Sequence, residues 1–146
     1  MKPTLRIQRR TLDEIHADLS RPHAFAAERV GFISCKVASI DASSIVVLAQ
    51  TYLPVQDDHY EDDPSVGAML NGAAFRVALQ HSYRSRTAIF HVHRHEHRGQ
   101  PRFSHVDIRE AQRFVPDFWK VQPEFPHGVV VLSQDRMHGL CWFPGH

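Results

Sequence analysis

Cysteine is scarce in this chain. The two present, Cys35 and Cys141, form no CxxC pair. That argues against a cysteine-ligated zinc site and leaves both as small hydrophobes inside apolar runs. Lysine is scarce too, occurring only at Lys2, Lys36 and Lys120. Charge of one sign does not dominate: 17 basic residues face 16 acidic ones, a formal net charge of +1. Such a balance gives no case for nucleic acid or an anionic membrane surface as partner. No run approaches the roughly 20 apolar residues of a membrane span. The opening segment, MKPTLRIQRR, lacks the apolar core of a signal peptide. A soluble, cytoplasmic protein is the expectation. Internal repeats and low-complexity linkers are missing as well. At 146 residues, 42% of them hydrophobic, the chain is expected to form one domain over residues 1–146.

Local patterns predict the elements. Thr11-Leu12-Asp13-Glu14 has the form of a capping box, with Thr11 as N-cap of a helix to about Ser20. Residues 31–40 and 45–53 read as strands joined by a turn at Asp41–Ser44, a predicted hairpin. Residues 54–64, PVQDDHYEDDP, read as a solvated acidic loop. A helical pattern follows from Ser65 to Ser82, and then a strand over Thr87–His93. Ser104 should cap a helix that runs to about Phe114, with Pro116 marking its end. Residues 127–133 and 137–143 read as a closing hairpin. The order implies an α/β chain of the α+β type, a mixed, largely antiparallel sheet flanked by helices.

What the chain has in excess is histidine, and it is concentrated. Phe90–Asp107 reads FHVHRHEHRGQPRFSHVD and holds five of the twelve histidines. Side chains alternate along a strand, so His91 and His93 point the same way. Two imidazoles on one face, with a carboxylate brought in later, suit a divalent metal, zinc first among them. Three protein ligands leave the fourth position for water, the arrangement of a catalytic zinc. Several zinc motifs are excluded by spacing. H-E-x-x-H fails because Gly99 stands where its second histidine belongs. The deaminase pattern fails for want of P-C-x-x-C. The cupin pattern places its glutamate farther from H-x-H than Glu96 lies from His93.

A glutamate upstream, H-x-H at a strand end and S-x-x-D at a helix start together resemble the JAB/MPN (JAMM) metalloprotease motif. Here they are Glu28, in Glu28-Arg29-Val30-Gly31 before an apolar strand, then His91/His93, then Ser104-His105-Val106-Asp107. The element order is also similar to the MPN fold, so the resemblance covers about Leu12 to Phe143. The chain departs from the pattern in three ways. Val92 stands where the family has Ser or Thr, and Arg94 where it has Pro. The gap from His93 to Ser104 is ten residues rather than seven. His93/His95 and His95/His97 would give eight and six, so spacing alone leaves the register open. Phe90, the bulky apolar residue expected before the first histidine, and strand continuity favour His91/His93.

The resemblance implies one zinc per chain bound by His91, His93 and Asp107 with a water. It implies Glu28 as general base and Ser104 as hydrogen-bond donor to the oxyanion. The arginine-rich loop and the later His127–Ser133 segment are similar to small bacterial JAB proteins of ubiquitin-like conjugation operons. That implies a ubiquitin-like protein or its conjugate as partner, with E1-like and E2-like enzymes as neighbours. The activity implied is a zinc isopeptidase or peptidase cutting after the C-terminus of that protein. Alternatives are a JAMM hydrolase of another small peptide or amide, and a non-catalytic MPN scaffold. Each residue also has a plainer role. Ser104 and Asp107 suit an ordinary N-cap and first-turn acid. Glu28 alone suits a surface charge, His95, His97 and His105 exposed positions, and Trp119 and Trp142 the core.

Overall fold

The computed structural model describes residues 2–23, 26–62 and 68–145. Its elements in chain order are β1 (Lys2–Arg6), α1 (Arg9–Leu19), β2 (Val30–Asp41), β3 (Ser44–Pro54), β4 (Tyr60–Glu61), β5 (Met69–Leu70), α2 (Gly72–Ser85), β6 (Ala88–Arg94), α3 (His105–Val121), β7 (His127–Leu132) and β8 (Met137–Trp142). Six strands form one sheet in the order β1-β3-β2-β6-β7-β8, and β4 pairs with β5 in a separate ribbon. The pairs β2–β3, β2–β6 and β7–β8 are antiparallel, while β1–β3 and β6–β7 are parallel. This is an α+β chain with a mixed sheet.

The parallel β6–β7 pair needs a crossover, and α3 supplies it. Strand β6 is therefore covered on both faces, and its alternation sorts them. Ala88, Phe90 and Val92 pack with Ile15 and Leu19 of α1. Ile89 packs with Ala74 and Ala78 of α2 and with Phe114, Val115 and Phe118 of α3. His91 and His93 share that second face with Ile89, toward the C-terminal end of β6, with the His91 ring 5.6 Å from that of Phe114 of α3.

Close packing explains the glycine of the Glu28–Gly31 segment. A Cβ at Gly31 would overlap the Tyr52 ring, which is fixed by a 2.5 Å hydrogen bond from its hydroxyl to Asp18 Oδ2.

Several predicted boundaries shift. Helix α1 starts at Arg9 with Gln8 as N-cap and no side-chain cap. Thr11 and Glu14 thus lie inside the helix, whose position is set by docking Ile15 and Leu19 on the sheet. Helix α2 starts at Gly72, capped by Asn71, whose Oδ1 accepts from the Ala73 and Ala74 amides at 2.9 and 3.2 Å. Of its predicted earlier part, residues 65–67 lie outside the described residues, and Met69–Leu70 is a strand. Helix α3 does not stop near Phe114 but continues to Val121 with Pro116 inside. Proline removes the bond to the carbonyl of Gln112, which is exposed. Buried Phe114, Val115 and Phe118 hold the helix on the sheet across that break. Strand β1 was not expected at all.

Candidate metal centre

His93 is held from both sides. Its backbone pairs with Val30 of β2 and with Val131 of β7. His91 is held likewise, opposite Phe32 and Val129, and its ring lies edge-on to Phe32 at 5.6 Å between centroids. A ligand pair on a doubly paired central strand is rigid, as a preorganised site requires. The two rings stand 6.1 Å apart between centroids, on the same face.

Helix α3 brings the carboxylate. Ser104 Oγ accepts from the Asp107 amide at 3.1 Å, and Asp107 Oδ2 accepts from the Ser104 amide at 2.8 Å. This reciprocal capping box fixes the first turn. The same Oδ2 lies 3.6 Å from His93 Nε2. Asp107 thus serves as helix cap and also faces the histidines.

Glu28 arrives from the segment before β2, which is anchored at the two residues that follow it. The buried Arg29 guanidinium donates to the Arg21 and Pro22 carbonyls at 3.1 and 2.8 Å and to Asp57 at 2.7 Å. The Tyr60 hydroxyl accepts from the Val30 amide at 2.8 Å and donates to the Val30 carbonyl at 3.1 Å. Sequence reasoning missed both anchors, since Asp57 and Tyr60 lie in the stretch read as a solvated acidic loop. The signal was an aromatic amid the acids, and a buried arginine needing an acid.

Glu28, His91, His93 and Asp107 all line one cavity of about 170 Å³. Its other walls are mostly apolar, among them Phe75, Phe103, Val106, Phe114 and Met69 of β5, with Glu110 of α3 as a further acid. Ser104 does not line it, although its neighbour Phe103 does. Charge follows from this burial. Desolvation first, then the nearby His93, pushes His91 down to about 3 against the pull of Asp107. Desolvation likewise lowers His93 to about 4, with Asp107 opposing and His95 assisting. Both imidazoles are therefore neutral near pH 7 and keep a lone pair to offer a metal. Glu28 is pushed up to about 7, chiefly by burial and then by the Asp107 charge.

His93 Nε2 is buried without a hydrogen-bond partner. An orphaned imidazole nitrogen beside a carboxylate and a second imidazole fits a divalent cation, and the nitrogen and oxygen donors suit a borderline metal. Among the described residues, the group of three donors whose ligand atoms lie within 4.8 Å of one another is Glu28, His93 and His95; His91 and Asp107 line the same cavity but do not belong to it. His95 is half-buried, whereas His97 and His105 are exposed.

Neither the protein-family models nor the curated proteins contain a match to the chain. No helix among the described residues is long and apolar enough to cross a membrane.

Proposed function

We propose that the protein is a zinc-dependent isopeptidase or peptidase that cleaves after the C-terminus of a ubiquitin-like protein, in deconjugation or precursor processing. The observation that carries this reading is the convergence of Glu28, His91, His93 and Asp107 on one cavity, with the His93 Nε2 orphaned inside. His91, His93 and Asp107 would hold the zinc. When bound, the ion supplies Lewis acidity for the scissile carbonyl and for the attacking water. Glu28, with a pKa of about 7, accepts a proton from that water and returns it to the leaving amine. The largely apolar walls lower the local dielectric and strengthen each polar contact inside. Ser104, the oxyanion donor that the resemblance implies, keeps its O–H because its capping bond from the Asp107 amide uses only a lone pair, but it stands outside the cavity lining and would have to turn toward the substrate. Met69 and Leu70 of β5 give the cavity an extended backbone wall, suited to a narrow, extended tail.

The test is cleavage of linear fusions and of isopeptide conjugates of bacterial ubiquitin-like proteins, followed by mass spectrometry. The expected product ends at the ubiquitin-like protein's last residue. Chelation should stop the reaction and zinc restore it, while thiol reagents leave it unchanged, because burial pushes both thiols up, Cys35 far above the usual cysteine range and Cys141 to about 11. Cleavage of small amide substrates alone would reassign the substrate class, and no hydrolysis by zinc-loaded protein would overturn the reading.

A further inference from the structure

The histidine row does not stop at the pair that lines the cavity. His95 continues the period-two alternation, and its amide still donates to the Leu132 carbonyl at 2.7 Å. It therefore extends the β6–β7 ladder by one residue and stays on the same face. Ring centroids run 6.1 Å from His91 to His93, 5.0 Å to His95 and 5.6 Å on to His97. Around this row stand two acids on different elements. Asp107 of α3 faces His93, and Glu28 groups with His93 and His95 within 4.8 Å. Two ligands of a tetrahedral zinc lie ~3.4 Å apart at ordinary bond lengths. The donors of the Glu28 group, within 4.8 Å of one another, need to close by at most ~1.4 Å to reach that spacing.

We infer that His93 is shared by two mutually exclusive ligand sets for one divalent cation, His91/His93/Asp107 and Glu28/His93/His95, and that occupancy of the second withdraws Glu28 from proton transfer. The inference rests on the reading of Glu28 as general base. It adds a regulatory state: one ion, moved about one strand repeat along β6, turns the base into a ligand. A carboxylate bound to a cation is held ionised by the ion's charge and becomes a much weaker base toward water. The second set needs no residue of the first except His93. Its third member, His95, has no part in the hydrolytic scheme.

The experiment measures cobalt and zinc binding, by titration calorimetry and by the visible spectrum of the cobalt protein, which reports ligand identity. His91→Ala and Asp107→Asn each break the first set, and the asparagine can still cap α3. Both variants are expected to retain about one equivalent of metal, with a cobalt spectrum shifted from wild type. Adding Glu28→Gln or His95→Ala to either should weaken binding by about 10²-fold or more. In an otherwise wild-type chain Glu28→Gln should change affinity by less than about threefold. Circular dichroism melts confirm that each variant is folded. If folded His91→Ala and Asp107→Asn proteins both lose the metal, the second set is not a site, while the hydrolase reading stands on wild-type binding. Should His95→Ala alone strip the wild-type chain, the two-set inference fails and the assignment of His91 and Asp107 as ligands fails with it.

Discussion

Replacing Tyr60 with phenylalanine removes a single oxygen and isolates one link between the β4 ribbon and the metal cavity. The ring is buried in the core beneath α2 and α3 and lies 4.2 Å from the His23 ring. Phenylalanine keeps that packing. What goes is the hydroxyl that accepts from the Val30 amide and donates to its carbonyl. Val30 is 3% exposed, so its N–H loses its partner without gaining water, a cost of about 2 kcal/mol. For a domain of this size that lowers Tm by roughly 6 °C. Val30 also pairs with His93 and lies two residues after Glu28, so misplacement of the proposed base should lower turnover by about tenfold. Thermal and urea unfolding of the metal-free protein, with an unchanged urea slope, gives the first quantity. Peptidase assay of the zinc-loaded protein gives the second. A Tm within about 1 °C of wild type would refute the reasoning, because it would mean the Val30 amide is satisfied without Tyr60.

Glu28→Gln should keep about one equivalent of zinc and lose about 10²–10⁴-fold in turnover; zinc analysis and a cleavage assay check both halves. The double variant His91→Ala/His93→Ala removes the residue common to both ligand sets, and dialysed protein should retain no stoichiometric zinc by elemental analysis. Metal-free stability should rise with pH between about 5 and 6.5 by on the order of 2 kcal/mol per unit. His91, His93 and His127 are lowered to about 3, 4 and 4, so the unfolded chain binds more protons there. Glu28, raised to about 7, opposes them from about 4.5 upward; urea titrations showing a flat profile would contradict the sum. Gly128→Ala should cost roughly 3 kcal/mol or more by urea unfolding, because its Cβ would meet the Leu140 carbonyl and stand 2.8 Å from the Cys141 Cα.

Strands with local signatures were legible before any coordinates. The β2–β3 hairpin follows from two β-branched runs around Asp41–Ser44, and the β7–β8 hairpin from two more around Gln134-Asp135. Period two placed His91 and His93 on one face, and Ser104 reads as an N-cap because Asp107 stands three residues on. What lies beyond local pattern was not legible. The parallel pairing of β1 with β3 leaves no mark in Lys2–Arg6. The true start of α2 is carried by Asn71, one side chain that a broad apolar pattern conceals. Pro116 misleads because tertiary burial of Phe114 and Phe118 outweighs its local cost. The approach of Asp107 to His93 depends on how α3 docks, and the Arg29–Asp57 anchor joins residues that local windows never see together. His95 was expected to be exposed and is half-buried instead, because the β6–β7 ladder runs past the last assigned strand residue.

The pairing of Val30 with His93 also bears on how the molecule is made. It joins two stretches far apart along the chain, and contacts of that kind form late because loop closure must come first. A nascent chain that has formed its hairpins still keeps Glu28 distant from the histidines. High-affinity metal uptake should therefore appear only with the final docking step, so a fluorescent zinc chelator in a stopped-flow refolding experiment should lag the growth of secondary structure. In a metal-limited cell the same coupling would let an ion held at this centre select completed molecules, stabilising the native state by mass action while leaving partly folded chains to the proteases.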